Sequence, residues 1–175
     1  FIKFADSILK LAIDKIPGDI QKLKSLPFDG KTVNEKIIEQ IGVIGEKIDI
    51  SYYGKIQAEQ VVSYIHQGNK LATLVGFSKK ADIQIGKDIA MQIAAMSPVA
   101  VDKTDVPADV IEKEKEIGRE QARLEGKPDN MLDKIAEGKL NKFFKESTLL
   151  NQDFTRDSKK TVRQYLKEAD PDLKV

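Results

Sequence analysis

Two helix-length patterns between residues 107 and 145 are joined by only five residues, 126–130, and a link that short forces the two helices to lie side by side and antiparallel. Pro107 suits the first helical position, Gly126 suits the residue just past a helix end, and Pro128 stands beyond it. In the first helix Val110, Ile117 and Leu124 recur every seven residues, while Glu112, Lys113, Glu114, Lys115, Glu116, Arg119 and Glu120 fill the rest. So narrow an apolar stripe suits a two-helix seam better than a globular core. The second helix offers Met131, Leu132, Ile135, Leu140 and Phe143. The expectation is a helical hairpin projecting from the body of the protein, with a seam of Val110, Ile117, Leu124, Ile135 and Phe143. The interleaved Lys and Arg mark Glu112, Glu114, Glu116 and Glu120 as a solvated face rather than an acid–base or metal site.

The rest of the chain mixes the two hydrophobic periods. Phe1, Phe4, Ala5, Ile8, Leu9, Ala12 and Ile16 fall at helical spacing, which Pro17-Gly18 ends. A short helix is predicted over 20–26, then a turn at Asp29-Gly30, then a helix opened by a Thr32/Glu35 capping box and carrying Ile37, Ile38, Ile41 and Ile44. From Lys47 the period drops to two. Ile48, Ile50 and Tyr52 alternate with polar residues as a half-buried strand would. Residues 61–65 and 71–77 read as two further strands, joined through Gln67-Gly68-Asn69-Lys70, whose Gly and Asn tolerate positive φ. The three strands are expected to be antiparallel.

Asp82 caps a predicted helix over 83–96, with Ile85, Ile89, Ile93 and Met96 as its stripe and Ala90, Ala94 and Ala95 permitting close packing. Ser158 is the expected cap of a last helix bearing Val162, Tyr165 and Leu166. Antiparallel strands packed on helices make the fold class α+β, in two small subdomains plus the hairpin.

Charge and composition exclude several functions. The 29 basic and 28 acidic residues leave a net charge of +1, which argues against direct nucleic-acid binding. With no cysteine there is no disulfide and no thiolate site, and His66 is the only histidine. No apolar run approaches the ~20 residues of a membrane helix. Gly30-Lys31-Thr32 lacks the upstream glycine and the buried leading strand of a phosphate loop, and Gly42, Gly45 and Gly54 lack its context altogether. The chain offers surfaces rather than a catalytic set, and implies neither an enzyme nor a cofactor.

One order of motifs is specific. Ile44-Gly45-Glu46-Lys47-Ile48, then Tyr64-Ile65-His66, then Ile89 through Ala95 are followed by Val106-Pro107 and Glu125-Gly126-Lys127-Pro128. Glu137 through Phe143 comes next, then Leu149 through Phe154 with Ser158 and Thr161-Val162. This series resembles the core of elongation factor Ts, the family of guanine-nucleotide exchange factors for elongation factor Tu. The resemblance implies a cytoplasmic translation factor that promotes GDP release from elongation factor Tu by protein contacts, and it leaves monomer and homodimer both open. It implies that residues 1–58 are the remnant of an N-terminal core subdomain and 59–175 a C-terminal one carrying the hairpin. It also assigns Tyr64, His66, Phe154, Thr155 and Arg156 to partner binding. For Phe154 the alternative is a loop anchor in the core, and for His66 an exposed turn residue. Two departures stand out. The family's Thr-Asp-Phe-Val wedge and its ubiquitin-associated-like module are expected upstream of Phe1, and a final strand after Val175. The family's helix also often has His where this chain has Gln92. Two other classes fit the composition: an adaptor acting through the hairpin, and an enzyme with an unfamiliar carboxylate site.

Overall fold

The computed structural model describes residues 1–68 and 70–175, so Asn69 of the predicted hairpin link lies outside the described residues. The chain divides into two compact units, 1–55 and 56–175.

The first unit opens with α1 (Ile2–Lys15), which buries Ile8 and Ala12 and closes at Ile16 in the left-handed region (φ 44°). A six-residue helix, α2 (Ile20–Ser25), starts where Asp19 accepts the Lys22 N–H at 2.8 Å. Strands β1 (Pro27–Phe28) and β2 (Lys31–Thr32) form a minimal antiparallel hairpin around Asp29-Gly30. In α3 (Val33–Ile44) the predicted capping box is present: the Glu35 N–H donates to Thr32 Oγ1, and the Thr32 N–H donates to the Glu35 carboxylate at 2.7 Å. The core is Ile8, Ala12, Leu23, Val33 and Ile37, with Ile48, Ile50 and Tyr53 packed on it.

The strand expected over 47–52 does not form. Ile48 and Ile50 are half-buried as the alternation requires, but Tyr52 is 83% exposed and Tyr53 turns inward instead. A strand needs a neighbour to accept its backbone hydrogen bonds, and this segment has none among the described residues. Its side chains therefore dock it on the helices, helped by Lys24 against Asp49 at 2.7 Å. Only two of the three expected strands pair.

The second unit is built on β3 (Gln60–Ile65) and β4 (Ala72–Phe77), antiparallel with Gln60 opposite Phe77 and Ile65 opposite Ala72. Val62, Val75 and Phe77 point to one face and pack with α4 (Ile83–Met96), whose Ile89 and Ala90 are fully buried. Gly86 permits this approach, since a Cβ there would sit 2.5 Å from Val62 Cγ2. After α4 come α5 (Ala108–Leu124), α6 (Leu132–Ser147), the short strands β5 (Asp153–Phe154) and β6 (Asp157–Thr161), and α7 (Val162–Ala169). Leu149, Phe154, Val162, Leu166 and Leu173 complete the core. The cap of α7 is Thr161, in a capping box with Gln164, because Ser158 is taken up in β6.

Helices α5 and α6 form the expected antiparallel hairpin, but not through the expected seam. Ile117 is 39% and Leu124 80% exposed, whereas Gly118 and Ala122 of α5 are buried with Leu132, Ala136 and Leu140 of α6. Of the expected α6 residues, Ile135 and Phe143 are half-buried, as is Val110 of α5. Small residues decide the matter. A Cβ on Gly118 would lie 3.0 Å from the Ala136 Cα, so the backbones come closer than a Leu/Ile rail allows. Arg119 to Asp133 at 2.7 Å and Lys139 to Gln121 at 2.8 Å bind the helices across the edges of the seam. Three of the four carboxylates expected on a solvated face are exposed, with Glu112, Glu116 and Glu120 paired one turn on to Lys115, Arg119 and Arg123, while Glu114 is half-buried.

Candidate functional site

A concavity of about 360 Å³ opens where the end of β3, the middle of α4 and the β5–β6 turn meet. Its apolar wall is Leu71, Met91, Ala94 and Ala95, and its polar rim is Tyr64, His66, Thr155 and Arg156, with Asp88 behind. Four of the five residues singled out from the sequence thus stand around one opening. Two come from the hairpin side and two from a turn about ninety residues further on. The fifth does not join them. Phe154 is 3% exposed, with its ring stacked on Tyr165 at 4.2 Å, so it anchors the turn in the core rather than lining the surface.

The strand register puts Tyr64 and His66 on one side of β3, two residues apart, and the His66 N–H continues the ladder to Leu71 O at 2.8 Å. The Tyr64 hydroxyl and His66 Nδ1 are 2.9 Å apart. When the phenol donates, Nδ1 accepts and the ring proton sits on Nε2, which gives the exposed imidazole a fixed donor edge.

The turn carrying Thr155 and Arg156 is held from beneath by α4. Gln92 is fully buried; its Oε1 accepts the Thr155 N–H at 2.9 Å, and its Nε2 donates to Asp153 O and Gln152 Oε1, both at 3.2 Å. Gln152, also buried, donates to Glu146 O at 2.9 Å. One turn earlier on α4, the Asp88 side chain is 6% exposed and accepts from Gln84 Nε2 and from the Tyr165 hydroxyl, both at 2.8 Å. Arg156 Nη1 stands 2.7 Å from the same carboxylate.

Burial, and then the neighbouring Asp88 carboxylate, push the Tyr165 phenol up to about 12. The proton is held more tightly in the folded protein than in the unfolded chain, where it titrates near 10. Stability from this group is therefore complete below pH about 10 and is lost as pH climbs toward about 12. Melting curves from pH 9 to 12 are expected to fall less steeply for Tyr165→Phe than for the parent; parallel curves would contradict the linkage.

Asp88, Gln92, Gln152 and Tyr165 were not singled out from the sequence as site residues. A signal for two of them was present. Gln84, Asp88 and Gln92 recur every four residues, each just before Ile85, Ile89 and Ile93, so a polar file runs beside the apolar stripe of α4. Nothing in the sequence marks Asp88 and Gln92 of that file as buried while Gln84 stays exposed. Among the described residues, no helix is long and apolar enough to cross a membrane.

Comparison with known proteins agrees in one direction. A family model described as elongation factor TS matches residues 1–175. The elongation factor Ts of Amoebophilus asiaticus is 53% identical over 169 residues, covering 95% of this chain and 61% of that protein. That of Porphyromonas gingivalis is 47% identical over 176 residues, covering 100% of this chain and 64% of that protein. That of Cytophaga hutchinsonii is 49% identical over 170 residues, covering 95% and 61%. The chain spans about three fifths of the length of the relatives it matches.

Proposed function

This chain belongs to the elongation factor Ts family, and on that premise we propose that it docks on elongation factor Tu in the cytoplasm and speeds release of the bound guanine nucleotide by contact alone. The supporting observation is the convergence of Tyr64, His66, Thr155 and Arg156 on one concavity. Polar tips around an apolar floor are the usual anatomy of a protein–protein contact.

Exchange of a bound nucleotide is a linkage problem. A partner that binds the nucleotide-poor conformation of the GTPase more tightly than the nucleotide-bound one lowers nucleotide affinity by that same ratio. No bond is made or broken in the exchange factor, so no titrating group is required of it. What is required is a surface that fits one conformation better than the other. A rigid rim serves that purpose, because a side chain already held in place loses little freedom on binding. His66 is braced by Tyr64, and the Thr155 backbone is braced by buried Gln92.

The test is His66→Ala in the protein at its natural length, with release of labelled GDP from elongation factor Tu followed by stopped flow. Loss of a braced interface side chain is expected to slow stimulated release by roughly 3- to 10-fold. The melting temperature should stay nearly unchanged, because His66 is exposed. An unaltered release rate would remove His66 from the docking surface.

A further inference from the structure

The Arg156 side chain is 55% exposed, yet its Nη1 is committed to a carboxylate that is almost fully buried. Asp88 is in turn fixed by Gln84 Nε2 and the Tyr165 hydroxyl. A phenol is protonated at neutral pH, so the Tyr165 hydroxyl donates to Asp88 at 2.8 Å. Tyr165 is itself fixed by the Phe154 stack. The guanidinium therefore stands on a chain of side chains rooted in the core. Among the described residues the recorded contact of the guanidinium is the one from Nη1, which leaves the edge formed by Nε and Nη2 to face outward.

We propose that Asp88 is a positioning residue that holds Arg156 at the rim of the concavity, so that its free N–H edge takes a carboxylate of the partner protein as a paired, two-donor contact. This rests on the docking reading of the same surface. The occupant follows from charge and shape. A guanidinium with one nitrogen engaged still presents two parallel donors, whose geometry matches a carboxylate. The neighbouring wall of Leu71, Met91 and Ala95 excludes water from one side of that contact. Asp88 neutralises most of the charge that Arg156 brings, so direction rather than net charge is what the pair offers.

That distinction sets the sign of the test. If Arg156 acted only as a positive charge, Asp88→Asn would leave it uncompensated and tighten binding to an acidic partner group. A positioning role predicts the opposite. In the natural-length protein, Asp88→Asn is expected to weaken binding to nucleotide-free elongation factor Tu about 3- to 5-fold and Arg156→Ala about 5- to 10-fold. The double variant should lose no more than Arg156→Ala alone, since the two act as one unit. Arg156→Lys keeps the charge beside Asp88 but not the two-donor edge, and should lose nearly as much as alanine. Binding by Asp88→Asn at or above the parent level, additive losses in the double variant, or full binding by Arg156→Lys would each overturn the proposal.

The free protein separates this from the docking reading. The Arg156 Nε–Hε signal in a nitrogen-15 spectrum should be a single, ordered resonance that becomes mobile in Asp88→Asn and stays ordered in His66→Ala. A mobile Arg156 in the parent overturns the positioning role. Failure of the unsubstituted protein to bind elongation factor Tu removes the carboxylate contact together with the functional reading, while the ordered resonance would still bear out the support from Asp88.

Discussion

Replacing the fully buried Gln92 by leucine is expected to destabilise the protein strongly. The leucine fits the volume but leaves three groups without their partner: the Thr155 N–H, the Asp153 carbonyl and the Gln152 side-chain oxygen. A buried polar group stripped of its hydrogen bond costs about 1–3 kcal/mol, and the new apolar contacts recover part of that. A net loss of about 3 kcal/mol follows, or roughly 6–12 °C in melting temperature for a protein of this size. Binding should fall as well, because the turn that carries Thr155 and Arg156 loses its attachment to α4. Gln92→His separates the two effects. An imidazole supplies one donor and one acceptor, so it can keep the Thr155 N–H and one carbonyl satisfied. Its expected loss is about 1 kcal/mol. Thermal melts of the two variants check this, and a leucine variant as stable as the parent would show that the Gln92 network contributes nothing.

A similar loss is expected at the hairpin. Gly118→Leu forces a branched side chain into a seam where even a Cβ meets the Ala136 Cα at 3.0 Å. Overpacking of this kind costs about 1–3 kcal/mol and more where the obstacle is backbone, while the gain in helix propensity returns less than about 1. Separation of α5 from α6 should appear as lost helical circular dichroism before the rest of the protein melts. A pair of alanine substitutions makes the cause visible. Gly138 in α6 has nothing within 4 Å of where its Cβ would be, so Gly138→Ala should stabilise by up to about 1 kcal/mol. Gly118→Ala has the same propensity gain but must push against Ala136, so it should not stabilise. Equal stabilisation by both would mean that the helices separate freely and that the seam is not close-packed.

The hairpin also shows where sequence reading succeeds and where it stops. Its existence and direction follow from two helical patterns and a five-residue link, both readable within a short window. Its seam does not. The repeat of Val110, Ile117 and Leu124 is the more conspicuous pattern, but Gly118, Ala122 and Ala136 allow a closer approach, and backbone proximity selects the face that is buried. Which face wins depends on the partner helix, and α5 alone does not contain that information.

The same division runs through the whole chain. Helix starts at Thr32 and Asp82, the helix end at Gly45 and the antiparallel pairing of β3 with β4 were all legible, because each is decided by residues a few positions apart or by a short turn. The segment at 47–52 had the alternation of a strand and lacked only a neighbour, which no local pattern supplies. At the candidate site, Tyr64 and His66 were legible through family resemblance, as were Thr155 and Arg156. The buried supports were not, since Gln92 reaches sixty-odd positions to Thr155 and Asp88 seventy-seven to Tyr165. The sequence by itself thus determined the long helices, the caps at Thr32 and Asp82 and the family to which the chain belongs, because short-range hydrogen bonds and hydrophobic period act within a few residues. Only the tertiary structure decided which polar residues are buried together and which aromatic ring anchors rather than faces outward. Those outcomes depend on desolvation and on the distance between backbones brought together from far along the chain.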